Sequence, residues 1–282
     1  MVPRSRPEGQ PTRGKTAVNR LRRVDVFVAL AMVSVLRGDS PLAVDLGFGE
    51  RPWTTLELAE RWRRVNPGLR VLGIEIDPVR VEAALPFADP PRVGFARGGF
   101  DVASVTGPGM VRVVRCLNVL RQYEEAGVDA ALARIAEAIE VGGALIEGTS
   151  NPTGRIVVFD VYRKRLPQPA GDTAPGIVGA PRGALAHEAL VFATNFRAPT
   201  DTDEFRTIAP KRLIHRMLDE TPSRFFEDWE RASVAARALG EPGTARHWAE
   251  AARLLGGKGW PVDRRKRLLE RGFLVLRGDL QG

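Results

Sequence analysis

The sequence predicts an α/β protein in which a mostly parallel sheet with an antiparallel edge is followed by a helical C-terminal extension. Three observations predict it. Short apolar runs rich in β-branched residues alternate with amphipathic helical patterns between Pro41 and Gly148, as parallel strands joined by right-handed crossovers require. The first run closes on an acid and two nearby glycines, and the second stops at Asp77-Pro78. Beyond Gly148 the alternation stops, and helical periodicity occupies most of the stretch from Lys211 to Leu255.

The elements follow in order. Residues Met1 to Thr16 are rich in Pro, Arg and Gly and poor in apolar side chains, so a mobile tail is expected, one whose removal leaves the rest unchanged. A buried helix is expected from Asn19 to Leu36, apolar nearly all round. Leu42 to Leu46 reads as a short buried strand after the turn Gly38-Asp39-Ser40-Pro41. Thr54 with Glu57 forms a capping box for a helix that ends at Asn66-Pro67-Gly68. A second strand, Arg70 to Ile76, meets Asp77-Pro78, a cap followed by proline at the first helical position. Val93 to Ala96, Met110 to Leu117 and Ala144 to Gly148 give strands three to five, and Val128, Leu132, Ile135 and Ile139 mark the helix before the fifth. Ile156 to Tyr162 follows after too short a turn for a crossover and must be antiparallel. Leu190 to Asn195 and Phe273 to Arg277 are further strands, with helices at Lys211–Leu218, Arg224–Leu239 and Ala245–Leu255 between them. The division is a basic tail (1–18), a core (19–163) and a C-terminal part (164–282) that completes the sheet and supplies a helical cap on the substrate side.

Charge restricts the choice of partners. The formal net charge is +8, but Arg4, Arg6, Arg13, Lys15, Arg20, Arg22 and Arg23 stand against Glu8 alone before Val24, so the remaining body is close to neutral. Nucleic acid is therefore a partner suggested only by the tail. The single cysteine, Cys116, forbids an internal disulfide and fits a reducing, cytoplasmic setting. Arg20, Arg22 and Arg23 before the apolar run Val24–Leu36 imitate an export signal, yet Asp25 interrupts the run and no small-x-small cleavage site follows. No run reaches the length of a membrane span. No His/Cys/Asp spacing suits a metal.

The chemistry concentrates at strand ends. Val44-Asp45-Leu46-Gly47-Phe48-Gly49 is a strand closing on an acid and two glycines, which allow a ligand close to the backbone. Asp45 would repel a pyrophosphate and attract an ammonium group. In Gly73-Ile74-Glu75-Ile76-Asp77 the Glu75 carboxylate can accept both hydroxyls of a ribose. Glu147 is read as an acid at the end of the fifth strand, costly unless it faces a cleft. Lys211, Arg212, His215 and Arg216 share a helix face, read either as a solvated surface or as an anion site.

These residues resemble motifs I and II of the class I, Rossmann-like S-adenosylmethionine-dependent methyltransferases, and the pattern looks like an actinobacterial-type branch of that family. The resemblance covers about Pro41 to Tyr162. It implies a sheet of about seven strands with a reversed edge strand, and S-adenosylmethionine as cofactor. Asp45, Gly47 and Gly49 would form the loop on the methionine side, Glu75 would hold the ribose, and Ile76 is a further cofactor-binding residue. Phe100 would cover the adenine and Asp101 bond its amino group, although Phe100 also reads as core and Asp101 as a turn cap. Asn118, after the fourth strand, would line the methyl-donor pocket. The usual third glycine is absent from Glu50-Arg51-Pro52-Trp53-Thr54-Thr55, where Thr54 or Thr55 is expected at the cofactor carboxylate. Glu147, Tyr123 and His215 are the candidate proton acceptors, and Arg121, Lys211, Arg212 and Arg216 the candidate substrate contacts. A nicotinamide dehydrogenase is disfavoured by Asp45 and the missing Gly-x-Gly-x-x-Gly. A non-catalytic adenosine-binding or RNA-binding protein is the alternative.

Overall fold

The computed structural model describes residues 7–11, 16–166, 177–178, 185–197, 201–239, 241, 243–278 and 280. Its strands are β1 (Leu42–Leu46), β2 (Arg70–Glu75), β3 (Val93–Arg97), β4 (Val111–Leu117), β5 (Ile139–Ser150), β6 (Ile156–Lys164), β7 (Ile177–Val178), β8 (Leu185–Thr194) and β9 (Phe273–Leu276). Its helices are α1 (Arg22–Ala31), α2 (Val33–Leu36), α3 (Trp53–Arg63), α4 (Pro78–Ala84), α5 (Ala103–Thr106), α6 (Glu125–Ala138), α7 (Thr202–Thr207), α8 (Lys211–His215), α9 (Glu220–Ala236), α10 (Ala245–Gly257) and α11 (Lys266–Leu269).

One sheet runs in the order β3-β2-β1-β4-β5-β6-β8-β7, with β9 also paired to β8. The first five strands are parallel, and the winding reverses between β1 and β4, which opens a crevice beyond their carboxyl ends. This is the Rossmann-like α/β class predicted. The antiparallel part is larger than a single edge strand: β6 is reversed between β5 and β8, and β7 and β9 add to the outer side of β8. A five-residue turn at 151–155 leaves no room for a crossover helix, so β5 and β6 pair as a hairpin.

Apolar side chains on one face of the sheet pack beneath α1, α3 and α4. On the other face α5 and α6 cover the parallel strands. Here α7 to α10 cover the antiparallel ones, centred on fully buried Phe192. The Phe192 ring lies 4.9 Å from Trp229 and 5.5 Å from Phe225. The spacing of Phe225, Phe226 and Trp229 puts an aromatic stripe on one side of α9, and that stripe anchors the C-terminal helices to β8.

Several boundaries differ from expectation. The first helix breaks at Met32, whose φ of −126° leaves the helical region, and the turn through Asn19 precedes it rather than belonging to it. The capping box at Thr54 is absent: α3 starts one residue earlier, behind Pro52, because the Thr54 hydroxyl is drawn to Asp45 instead. Strand β5 runs on to Ser150, which puts Glu147 inside the strand, and α8 ends at His215. Of the expected tail, residues 7–11 lie against the core, held by backbone hydrogen bonds rather than by apolar burial. Among the described residues no helix is long and apolar enough to cross a membrane.

Candidate functional site

The crevice at the β1/β4 switch point is lined by two cavities that share Gly47. The larger, about 430 Å³, is bounded by Gly47, Phe48, Gly49, Thr54, Asn118, Arg121 and Ile208, and by Thr149 and Ser150 at the end of β5. The smaller is lined by Gly47, Glu75, Ile76, Gly99, Phe100 and Tyr123, together with Glu8, Gly9 and Gln10. Gly47 and Gly49 have φ of +75° and +83°, a left-handed conformation that favours glycine, so the loop after β1 folds back towards β2. There the Gly49 N–H donates to Glu75 Oε2 at 2.8 Å, and the Ile76 N–H donates to Oε1 at 3.0 Å. Oε1 also accepts from the Asp77 N–H at 3.3 Å, and Arg80 Nη1 lies 3.8 Å from Oε2. Glu75 is thus pre-oriented at the tip of β2, and its remaining lone-pair capacity is on Oε2.

Asp45 sits at the strand end as the sequence suggested, but both its oxygens are engaged inside the protein. Arg115 Nε donates to Oδ1 at 3.0 Å and Arg115 Nη2 lies 2.8 Å from Oδ2. The hydroxyls of Thr54 and Thr55 donate to Oδ2 at 3.1 and 2.7 Å. Arg115 also binds Asp25, whose other oxygen takes Arg61 Nη1 at 2.8 Å. Burial tends to lower the Arg115 pKa, but Asp45 and Asp25 more than offset it and hold the guanidinium above its ordinary range. Asp45 therefore braces the loop from beneath and is not presented to an ammonium group. The same bonds explain how the loop dispenses with a third glycine, since the two threonines pin the start of α3 to β1.

Asn118 follows β4 with a φ of +64°, which Asn tolerates better than most residues. Its Oδ1 accepts from the Ser150 N–H at 2.9 Å, and its Nδ2 donates to Ser150 Oγ at 3.1 Å. It thereby clamps β4 to β5 at the cavity wall. Arg20 reaches the same place, donating from Nε to Ser150 Oγ at 3.0 Å, and burial lowers its pKa.

Phe100 and Tyr123 meet edge-on at 5.1 Å. Asp101 Oδ2 accepts from the Ser104 hydroxyl at 2.8 Å, and Oδ1 accepts from the Glu8 N–H at 3.4 Å. Burial foremost raises the Tyr123 pKa.

Other candidates lie elsewhere. Glu147 faces Asp160 across the β5–β6 pair, is buried, and lines neither cavity. Burial, reinforced by Asp160, raises its pKa well above the usual carboxylate value. His215 is exposed at the end of α8. Lys211, Arg212 and Arg216 line neither cavity; Arg212 pairs with Asp129 of α6 and Arg216 with Asp219. The anion-site reading of that face thus receives no cavity, and the solvated-face reading fits Lys211 and Arg216. Arg212 is only 21% exposed and turns inward, where burial raises the pKa values of Tyr162 and Glu147 and its charge partly opposes the rise. Arg121 does reach the larger cavity and donates to the Thr207 carbonyl at 3.0 Å.

Sequence reasoning missed Arg20, Gln122, Thr149, Ser150 and Asn151 in the larger cavity and the 8–10 segment in the smaller. The polar run Thr149-Ser150-Asn151 following an apolar strand was the signal for the first group. None existed for the segment.

No family model matches the chain, and no curated protein matches it. Among solved structures it is similar to an S-adenosylmethionine dependent methyltransferase from Mesorhizobium loti, at 17% identity and a TM-score of 0.31 over 42% of this chain and 51% of that one. It is also similar to the CurJ carbon methyltransferase, at 17% identity and a TM-score of 0.38 over 47% and 34%. A third similar structure is described as a pericyclic reaction enzyme, at 18% identity and a TM-score of 0.34 over 43% and 31%. The chain spans about half the length of the bacterial methyltransferase it matches, and less of the other two.

Proposed function

We propose that the chain is an S-adenosylmethionine-dependent methyltransferase that transfers a methyl group to an acceptor by in-line displacement, releasing S-adenosylhomocysteine. The observation that carries this reading is the pair of cavities joined at Gly47. One has the donors and acceptors of an adenosine slot, and the other opens beside it as a wider chamber. The residues suit the cofactor. Glu75 stands ready at the strand tip for a ribose, Ile76 and Phe100 offer apolar faces, and Asp101 with the Phe100 N–H forms an acceptor–donor pair for an adenine edge. The methionine end would lie along Gly47 and Gly49 towards Asn118, with the positive end of α3, at Thr54, facing its carboxylate.

The bound cofactor supplies a methyl already activated on a sulfonium. The chain's own contribution is to position the acceptor and exclude water. Neither Glu147 nor His215 lines either cavity, and Tyr123 reaches the crevice only on the adenosine side, so we assign no protein base to the step. Residues 19–163 then act as the cofactor-binding core. Residues 164–282 complete the sheet and bring a cap to the chamber through Ile208 and the Arg121–Thr207 contact. A cytoplasmic site of action suits the lone buried Cys116. Calorimetry with S-adenosylmethionine, S-adenosylhomocysteine and NAD tests the reading: comparable binding of the first two is expected, whereas NAD binding with no heat from either would refute it.

A further inference from the structure

The smaller cavity is small because the chain itself fills it. Residues 7–11 cross the mouth of the slot. The Phe100 N–H donates to the Glu8 carbonyl at 2.9 Å, and the Glu8 N–H donates to Asp101 Oδ1 at 3.4 Å. The Gln10 N–H donates to the Tyr123 hydroxyl, and Gln122 Nε2 donates to the Gln10 carbonyl at 3.2 Å. Gly9 lies flat on the apolar wall: a Cβ there would sit 3.5 Å from Ile76 Cδ1 and 3.6 Å from Phe100 Cε2. A Cβ on Gly99 would overlap the Glu8 carbonyl oxygen, so glycine at 99 is what admits the segment this closely. Outside the slot, the Glu8 carboxylate takes Arg134 Nε at 3.1 Å and Arg134 Nη2 at 2.9 Å.

The chemistry of this contact is that of an adenine edge. Adenine presents an amino donor beside a ring-nitrogen acceptor. The Glu8 residue presents an N–H donor and a carbonyl acceptor to the same two groups, the Asp101 carboxylate and the Phe100 N–H. About 20 Å³ of free space remains in the slot, room for roughly one water and not for a purine ring. Segment and adenosine therefore exclude one another.

We propose that residues 7–11 form an autoinhibitory strap whose Glu8 backbone occupies the adenine position, so that cofactor binds only when the strap is released. The proposal rests on the adenosine reading of this slot. It replaces the expectation that removing the tail leaves cofactor binding unchanged. A strap that holds the slot closed nine-tenths of the time weakens apparent affinity about tenfold, because only the open fraction binds. The Arg134 clamp is exposed, so releasing it does not touch the slot itself.

The test is calorimetric titration of S-adenosylhomocysteine into three proteins: the full chain, the chain lacking residues 1–11, and the full chain carrying Arg134→Glu, which sets a carboxylate against Glu8. The shortened chain is expected to bind about tenfold tighter than the full chain, and the Arg134→Glu protein several-fold tighter. If the shortened chain fails to fold, Arg134→Glu alone decides. Equal or weaker binding by the altered proteins overturns the strap while leaving the adenosine reading intact. Binding by none of the three overturns the adenosine reading and the competition with it.

Discussion

Arg115 on β4 and Asp45 on β1 occupy paired positions of adjacent parallel strands and meet through two contacts, Nε to Oδ1 at 3.0 Å and Nη2 to Oδ2 at 2.8 Å, both side chains buried. Because Arg115 also holds Asp25 and the carbonyl of Thr54 at 2.8 Å, one guanidinium ties α1, β1, α3 and β4 together beneath the crevice. Arg115→Met is expected to destabilise the fold by about 3–5 kcal/mol, since it strands two buried carboxylates. Denaturant unfolding measures it, and a loss under about 1 kcal/mol would show that the network is not needed to hold the loop.

Glu75→Gln keeps the shape of the side chain and removes its charge. If the carboxylate accepts the ribose hydroxyls, S-adenosylhomocysteine affinity falls by about 1.5–3 kcal/mol. The readout is calorimetry of the shortened chain, where the strap does not compete. Unchanged affinity would move the ribose contact away from Glu75.

Glu147 makes stability depend on pH. Its folded pKa is raised by burial and by Asp160, so the folded state holds a proton that the unfolded chain has released. The associated stability is complete below the ordinary carboxylate pKa and is lost as pH rises from there towards the raised value, by up to about 1.4 kcal/mol per pH unit. Glu147→Gln should remove this slope, and the two proteins should converge in strong acid. Parallel unfolding midpoints from pH 4 to pH 8 would contradict it.

Charge reversal at Lys211 and Arg216 is expected to leave cofactor affinity within about twofold and stability within about 0.5 kcal/mol, because Arg216 pairs locally with Asp219 and neither residue reaches a cavity. Binding and unfolding measured on the double variant check both. Loss of methyl-transfer turnover in the double variant with cofactor affinity unchanged would restore the anion-site reading of α8.

Phe192→Ala removes the side chain around which Phe205, Phe225, Phe226 and Trp229 pack. A loss of about 3–5 kcal/mol is expected from the cavity left behind. Loss of near-ultraviolet dichroism from the tryptophans would report the loosening of α9 against the sheet.

The sequence by itself determined the parallel block and the glycine loop that follows its first strand, because hydrophobic periodicity and the glycines at 47 and 49 act over a few residues. The strand order, and with it the β1/β4 switch point, came from the tertiary structure. The sequence also determined that Glu75, Phe100, Asp101 and Asn118 stand at strand ends, since a strand's polarity follows from its order in the alternation. Only the tertiary structure decided what each polar group faces. Asp45 read as a ligand acid because nothing near it in the chain supplies a cation; Arg115, 70 residues away, does. Glu147 read as a cleft residue because the strand's end could not be told from Gly148 onward, and pairing with β6 carried the strand to Ser150. The 7–11 segment has no apolar pattern with which to announce itself. Its place is set by backbone hydrogen bonds to Phe100 and Asp101, about 90 residues on, and a backbone donor and acceptor are present in nearly every residue and so leave no mark in a sequence.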